Sequence, residues 1–473
     1  MWTQCSGGSF RFKPVGRREV VSAFDGGHVS SDAGVLLLRE VADRLGMFRR
    51  LAGCFVDQRD ARFTEHKLEA LLAQRILGIA CGYEDLNDHD HLRSDPAFAV
   101  AVGRRDVDGR DRKRARDKGC PLAGHATLNR IETAPPVEAE RRRDHKICHR
   151  PEAIERLLVD LYLDQHPEPP EEIVLDLDAT DDLVHGDQEG RFFHGYYRSY
   201  CFLPLYIFAG DHLLVAKLRS ADQDGAAGSL QELERVVTQI RERWPAVRIV
   251  VRADSGFCRD WLLSWCEAQE DVDYVIGLAR NSRLVGMLQP ALDAVAVEAA
   301  AAGEPRRRYE ELRYRTQKTW SRERRVVGKA EQLGDKSNPR FVVTSLLVET
   351  VDAQSLYADL YCARGDMENR IKEQQLGMFA DRTSSHTMRA NQLRLWFSSL
   401  AYVLVDALRR LALVDTQLSR AQVWTLRNRL LKIGAVVRVS VRRVVLSMAS
   451  AFPLQDEFAQ AVARLRGLVG GLA

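Results

Sequence analysis

The hydrophobic and polar positions change their period along the chain. Near the N-terminus, apolar residues recur at helical spacing in AGVLLLREVADRLG and again from Thr64 to about Cys81, which predicts helices. Further on, short apolar runs bounded by turn residues predict strands, with an amphipathic helix from about Ser229 to Trp244. The predicted strands are the run opening at Glu172, Tyr200 to Ala209, Leu213 to Leu218, Arg248 to Ala253 and Asp273 to Leu278. This order predicts an α/β fold in which helices flank a mixed sheet.

The strand EIVLDLDATDD carries acidic residues inside an apolar run. Side chains alternate along a strand, so Asp176 and Asp178 share one face while Leu175 and Leu177 take the other. A buried carboxylate is costly unless a cation or hydrogen bonds hold it. The alternative is that these acids only mark the solvated end of an edge strand. Asp176 also competes with Asp178 as the functional residue of the pair.

Two later segments offer further acids in similar settings. The predicted strand RIVVRA ends at Asp254, and the helix predicted from about Ser355 to Gly377 carries Glu368. The residues on its predicted Glu368 face are Tyr361, Arg364, Glu368, Lys372 and Gln375. Ordinary solvated helices also contain such pairs of opposite charge four residues apart. We nevertheless expect Asp178, Asp254 and Glu368 to meet at one end of the sheet.

Three clustered carboxylates favour a hard divalent cation, Mg²⁺ with Mn²⁺ as a substitute. Two such ions would support phosphodiester chemistry, whereas two carboxylates alone would support glycoside hydrolysis. The third acid and the basic regions favour the phosphodiester reading. From Arg306 to Lys329 the chain holds ten basic and three acidic residues. Within it we predict base stacking by Trp320, whose alternative role is in a β-rich core, and phosphate contacts by Arg322 and Arg324.

The three acidic segments together resemble a known family. LDLDAT, VRADSGF and Y-x-x-R-x-x-x-E within YCARGDMENRIKE are similar to the catalytic motifs of DDE transposases from bacterial insertion sequences. FDGGHVSSDAGVLLLRE, GYEDLNDHDHLRSDP, ATLNRIE and YCFLPLYIF extend the similarity over nearly the whole chain. The resemblance implies an RNase H-like core with a β-rich insertion between the second Asp and the Glu.

The same resemblance implies roles for individual residues. Asp178, Asp254 and Glu368 would be catalytic and bind two Mg²⁺ ions, while Tyr361 and Arg364 would contact the phosphate of the transposon end. The signature usually has Lys seven residues after the Glu, where this chain has Gln375. Lys372, one turn earlier, is the candidate substitute for that DNA contact.

Five segments follow from these patterns. They are a mainly helical DNA-end-binding region at 1–165, the first part of the core at 166–283, a basic β-rich insertion at 284–350, the second part of the core with the Glu helix at 351–415, and a basic helical region at 416–473.

The predicted function is that of a metal-dependent DNA transposase. It would bind terminal inverted repeats, cleave the DNA ends and join the 3′-hydroxyls to target DNA. The resemblance also implies a homodimer in the DNA complex. The alternative is a non-catalytic DNA-binding protein derived from a transposase. The nine scattered cysteines lack a C-x-x-C pair and the N-terminus lacks a signal-peptide pattern, which predicts a cytoplasmic protein without a membrane partner. The resemblance implies that the cytoplasm is bacterial and that the protein is nucleoid-associated when bound to DNA.

Overall fold

The chain, described by a computed structural model over residues 8–139 and 145–467, divides into two compact units. Unit 1 is Met1–His149 with Leu400–Ala473, and unit 2 is Arg150–Ser399. Unit 1 therefore takes segments from both ends of the sequence. This differs from the five-segment division, which assigned the first and last segments to separate regions.

Unit 2 is built on one mixed sheet of nine strands. Numbered along the chain, they are β1 Glu172–Ala179, β2 Leu205–Ala209, β3 His212–Lys217, β4 Arg248–Ala253, β5 Val272–Leu278, β6 Arg306–Tyr314, β7 Arg324–Leu333, β8 Lys336–Ser337 and β9 Arg340–Thr344. Their spatial order is β3-β2-β1-β4-β5-β9-β7-β6, with β8 paired to β7. Strands β1, β4 and β5 run parallel, and the remaining pairings are antiparallel. The predicted mixed sheet flanked by helices is confirmed.

The two faces of β1 differ as the sequence predicted. Leu175 and Leu177 are fully buried in the main apolar core of unit 2. Val174 packs on the opposite face, in a smaller cluster with Val250, and Asp176 and Asp178 have the same parity in the strand. Burial of the apolar face fixes the register, because a shift by one residue would turn Leu175 and Leu177 out of the core and the two aspartates into it.

Helices connect and cover these strands. Those of unit 2 are Pro151–Leu163, Ser229–Arg243, Asp260–Ala268, Ser282–Ala302 and the first part of Met388–Ala412, with a 3₁₀ turn at Ser255–Phe257. An irregular helical run follows β9: α-helix at Ala353–Ser355, π-helix at Leu356–Tyr361, 3₁₀ at Cys362–Arg364, α-helix at Gly365–Lys372 and π-helix at Glu373–Gly377.

A second, three-stranded sheet in unit 2 was not predicted as such. It consists of Asp182–Leu183, Phe192–His194 and Ser199–Phe202, with the last strand in the middle. The run Tyr200 to Ala209 was predicted as one strand, but it divides between this small sheet and β2. Pro204 lies at the break and lacks the backbone N–H that a continuous strand would need.

The segment predicted as a β-rich insertion, 284–350, begins with most of a helix, Ser282–Ala302. Its strands β6, β7 and β9 extend the main sheet beyond β5 and do not form a separate sheet. Within the described residues, this helix alone has the length and apolar composition to cross a membrane. Leu284, Leu288 and Val295 of the helix are buried in the core of unit 2.

Unit 1 combines short helices with small sheets. Its helices are Val35–Leu45, Met47–Gly53, Leu68–Ala80, Asp88–Leu92, Pro96–Ala101, His125–Glu132, Val423–Leu426, Arg427–Leu431 (π), Gln455–Leu465 and a 3₁₀ turn at Ala115–Asp117. Its strands are Phe10–Val15, Arg18–Ser22, Val29–Ser30, Phe55–Asp57, Ile147–His149, Ala435–Val439 and Val444–Met448.

The C-terminal segment was predicted as basic and helical, and this prediction is wrong for its centre. Ala435–Val439 and Val444–Met448 form an antiparallel hairpin, and the first strand also pairs with Val29–Ser30. The stretch AVVRVSVRRVVLSM is rich in β-branched valine, which favours strands over helices.

Contacts between the two ends of the chain hold unit 1 together. Lys432 Nζ lies 2.6 Å from Asp32 Oδ1, and Asp32 is fully buried. The backbone N–H of Gly34 donates to the carbonyl of Leu431 at 3.1 Å. A Cβ on Gly34 would lie 2.2 Å from the carbonyl oxygen of Leu430, so the N-terminal segment and the Leu430–Leu431 backbone are in direct contact.

Replacement of Gly34 therefore tests how unit 1 is built. We expect Gly34→Ala to lower the free energy of unfolding by about 1–3 kcal/mol, because the new methyl group collides with backbone that cannot rotate away. Gly53→Ala is the matched control, since a Cβ there meets nothing within 4 Å. Urea titrations of both variants measure the effect, and equal stability of the two would contradict the contact.

Candidate active site

The register of the parallel strands brings Asp178 and Asp254 to neighbouring positions. Leu177 in β1 pairs with Ala253 in β4, so the next residue of each strand is an aspartate. Asp254 also caps the 3₁₀ turn that follows it, since its Oδ1 accepts a hydrogen bond of 2.8 Å from the N–H of Gly256. The turn at Ser255 and Gly256 thus ends β4 directly before Asp254, which caps the turn.

Glu368 reaches the same region through Arg364. The Arg364 guanidinium lies 3.3 Å from Asp178 Oδ2 through Nη1 and 2.8 Å from Glu368 Oε1 through Nη2. Arg364 is only 17% exposed, whereas the Glu368 side chain is 49% exposed. An arginine therefore bridges the acid of the central strand and the acid of the helix.

The pKa of Asp178 depends on the other two acids. The pKa of Asp178 is raised to about 6, mainly by burial, with Arg364 opposing the shift and the negative charges of Asp254 and Glu368 adding to it. A nearby cation lowers the pKa of a buried carboxyl group, because the cation stabilises its charged form. Arg364 supplies that positive charge in this structure.

Asp176 is held by a different arginine. Its carboxylate accepts two hydrogen bonds from Arg252, at 2.5 Å from Nε and 2.7 Å from Nη2. Burial raises the pKa of Asp176, and the bond with Arg252 opposes that shift. Asp176 is 2% exposed, so both its oxygens are committed to an internal ion pair. This distinguishes it from Asp178 as a candidate ligand.

Sequence reasoning missed Arg252 and Gly277. Arg252 Nη1 also donates to the carbonyl of Leu360 at 2.5 Å, which ties the β1–β4 face to the helical run. Its position two residues before Asp254 in a buried strand was the available signal. A Cβ on Gly277 would lie 2.5 Å from the Tyr361 hydroxyl and 2.9 Å from the N–H of Ser255, so glycine makes room for Tyr361 beside the Asp254 turn.

The remaining predicted contact residues on the helical run lie in different settings. Tyr361 is partly buried, and burial raises its pKa. Lys372 is exposed one turn after Glu368. Gln375 donates from Nε2 to the carbonyl of Asp181 at 3.0 Å, so it serves an internal contact.

Two predictions in the basic segment are corrected by burial. Trp320 is 5% exposed and its ring packs edge-on against Tyr314 at 5.7 Å, so it offers no face for stacking on a base. Arg324 is 3% exposed, with its guanidinium bonded to Asp260 and Glu267. These side chains stabilise the interior. Arg322 also pairs with Glu267 but is 57% exposed, so its phosphate contact stays a prediction.

The carboxylate oxygens of Asp178, Asp254 and Glu368 suit a hard cation, but they are too far apart to hold one in this structure. Within residues 8–139 and 145–467, no three His, Cys, Asp or Glu side chains form a group that could hold a metal ion. The charge of Asp178, Asp254 and Glu368 fits Mg²⁺ or Mn²⁺ chemically. Binding would require the carboxylates to move closer and Arg364 to release at least one of them.

The family model described as transposase DDE domain group 1 matches residues 12–469. The match over nearly the whole chain places it in a class of DNA transposases, for which a nucleotidyl-transferase or endonuclease activity on DNA is expected. The chain belongs to the transposase DDE domain group 1 family.

No curated protein matches the sequence. Among solved structures, a cryo-EM structure of a piggyBac transposase synaptic complex with hairpin DNA is similar, with a TM-score of 0.40 and 10% identity. The similarity covers 93% of this chain and 82% of that chain.

The raised pKa of Asp178 predicts a pH-dependent stability. Its pKa is about 6 in the folded chain against an ordinary value of 3.8, so the folded state binds the extra proton between these values. Stability from this group is present below about pH 4 and is lost as pH rises through about 6. Without metal, Asp178→Asn should therefore gain stability relative to wild type on going from acidic to neutral pH, by at most about 3 kcal/mol.

Urea unfolding in EDTA at about pH 4.5 and pH 7.5 measures this difference. Asp335→Asn, at an exposed position in the β7–β8 turn, is the control. A constant difference between wild type and Asp178→Asn across both pH values would show that Asp178 is not destabilised when charged.

Proposed function

We propose that this protein cleaves the ends of a bacterial insertion sequence and joins the resulting 3′-hydroxyls to target DNA. The observation that carries the proposal is that Arg364 contacts both Asp178 and Glu368. Asp254 follows the strand position paired with Leu177, and its charge influences the pKa of Asp178. Membership of the DDE transposase family supports DNA as the substrate. The order β3-β2-β1-β4-β5, with a parallel centre and an antiparallel β1-β2-β3 edge, supports an RNase H-like core.

Asp178, Asp254 and Glu368 would hold two Mg²⁺ ions, for which Mn²⁺ would substitute. When bound, such ions supply the activation of an attacking oxygen and the stabilisation of a leaving oxygen at a phosphodiester. Arg252 fixes Asp176 and the Leu360 carbonyl, and so holds the helical run against the strand that carries Asp178. This contact would keep the helical run close to β1, while the carboxylates themselves would still move to bind the ions.

Arg364 would exchange partners during this reaction. Its guanidinium is bonded to carboxylates here, and a planar guanidinium binds the oxygens of a phosphate equally well in geometry. Tyr361 lies next to it on the Asp254 side, and Lys372 is exposed further along the helix. These three side chains would contact the phosphates of the transposon end. Arg322, two residues before the start of β7, would also contact DNA.

The wider assignments follow from the same proposal. Unit 1 would take part in recognising the terminal inverted repeats, and strand transfer would occur in a homodimer assembled on DNA. The protein would act in the bacterial cytoplasm, bound to the nucleoid. The competing function, a DNA-binding protein without catalysis, predicts binding but no cleavage of a supercoiled donor plasmid.

Glu368→Gln tests the catalytic assignment. We expect at least about a hundredfold loss of cleavage and strand transfer with retained binding of the element's ends, because the amide keeps the shape of the side chain but removes its charge. Asp366→Asn, at an exposed acid in the same helix, is the matched control and should remain active. Donor-plasmid cleavage and gel-shift binding measure the two steps. Wild-type activity in Glu368→Gln would refute the role of Glu368.

Metal removal tests the cofactor separately. EDTA should abolish cleavage of the donor plasmid, and added Mg²⁺ or Mn²⁺ should restore it. Titration of Mn²⁺ followed by electron paramagnetic resonance should show binding to wild type and weaker binding to Asp254→Asn, because one hard oxygen ligand loses its charge. Cleavage that persists in EDTA, or equal Mn²⁺ affinity in both proteins, would contradict the assigned site.

A further inference from the structure

A hairpin of unit 2 exposes an unusual number of aromatic rings. Between residues 190 and 202 the sequence reads GRFFHGYYRSYCF, with six Phe or Tyr side chains. Three of them are at least half exposed: Phe193 at 58%, Tyr196 at 84% and Tyr200 at 50%. Single exposed apolar residues need no explanation, but three rings on one hairpin indicate a binding surface. We name Phe193, Tyr196 and Tyr200 the aromatic platform.

The backbone of the hairpin fixes the platform. Phe193 pairs with Tyr200 across the two strands, and their ring centroids lie 5.6 Å apart at 71°. The turn between them closes through a 2.8 Å hydrogen bond from the N–H of Arg198 to the carbonyl of His194. Arg198 adopts a left-handed conformation with φ of 55°. Tyr196 is thus presented at the tip, on a turn of defined geometry.

The hairpin is anchored beside the acidic site. Asp182 and Leu183 pair with Phe202 and Cys201, so the hairpin attaches to the chain four residues after Asp178. Cys201 of the hairpin is buried in a small apolar cluster against which Tyr197 and Ala179, the residue next to Asp178, both pack.

Tyr197 gives a second sign of this closeness. Its burial raises its pKa to about 12, and the negative charges of Asp181 and Asp178 contribute to the shift. The exposed rings therefore belong to a structural element that contacts the immediate surroundings of a proposed catalytic carboxylate.

The charge of the hairpin favours a polyanion over an apolar protein surface. Residues 190–202 contain Arg191, Arg198 and His194 but no acidic residue. The Arg191 guanidinium stacks on the Tyr200 ring at 4.8 Å from its centroid and also pairs with Asp187. Aromatic rings interleaved with arginines are the combination that binds single-stranded nucleic acid, because bases stack on the rings while cations follow the backbone.

We propose that the aromatic platform binds an unpaired nucleobase of the DNA end next to the Asp178 site. The proposal rests on the proposed function, since it takes DNA as the substrate of that site. It also moves the stacking role to residues that the structure exposes, because Trp320 is buried. Tyr196 and Phe193 would supply the stacking faces, and Arg198 would lie near the adjoining phosphate.

Matched DNA probes separate stacking from phosphate binding. Two fluorescent duplexes carry 3′ overhangs of equal length, one of thymidines and one of abasic nucleotides, so that they differ only in the bases. Wild-type full-length protein should bind the thymidine overhang more tightly. The double variant Phe193→Ala/Tyr196→Ala should lose about tenfold in affinity for that probe and bind the abasic probe as wild type does.

Two further variants control for folding and for ring chemistry. Tyr196→Phe keeps the ring and should retain the preference for thymidines. Trp261→Ala removes an aromatic side chain that is 42% exposed on another element of unit 2 and should bind both probes as wild type does. An equal loss in Trp261→Ala, or an unchanged preference in the double variant, would overturn the proposal.

A crosslink keeps the test independent of affinity. With 5-iodouracil in the overhang, ultraviolet light should link the probe to a peptide containing Tyr196 or Phe193, which mass spectrometry identifies. Crosslinks confined to other peptides would overturn the proposal.

If wild type cleaves the donor plasmid in Mg²⁺ but the platform variants bind as wild type does, this inference fails alone. Absence of cleavage by wild type would instead contradict the proposed function.

Discussion

The charge balance on one face of the central sheet is the constraint on which the site depends. Asp176 and Asp178 lie on a face that water reaches poorly, and each has an arginine beside it. The two pairs differ in consequence. Arg252 forms a buried ion pair with Asp176 and also donates a hydrogen bond to the helical run at Leu360. Arg364 instead contacts both Asp178 and the more exposed Glu368. The Arg252–Asp176 pair stabilises the fold, because breaking it would leave a buried charge unpaired.

The helical run that carries Arg364 and Glu368 is irregular where it passes the sheet. Tyr361 ends a π-helical stretch, Arg364 lies in a 3₁₀ turn and Glu368 lies in regular α-helix. Such insertions are frequent at functional sites because they re-aim side chains that a regular helix would place elsewhere. Here they place the tyrosine hydroxyl against Gly277 and the arginine between two acids.

Much of this arrangement was predictable from sequence. The alternation in EIVLDLDATDD predicts the two faces of β1. Acids at or just after the ends of two buried strands predict that Asp178 and Asp254 lie at one end of the sheet, and the parallel pairing of β1 with β4 places them at neighbouring positions. The arginines were harder to foresee, because Arg252 in a strand has no period that reveals its partner. Trp320 and Arg324 were misplaced because a basic composition does not show which side chains turn inward. Likewise, the uniform helical spacing that put Gln375 with Glu368 fails across a run containing π and 3₁₀ turns.

The composition of unit 1 from two distant segments has a consequence for biosynthesis. Residues 150–399 of unit 2 are synthesised before Leu431 and Lys432, the partners of Gly34 and Asp32. Domains generally fold as their chains emerge. Unit 2 therefore has all its residues while the N-terminal segment still waits for its C-terminal complement, so a nascent or prematurely terminated chain would carry the acidic residues without a completed unit 1.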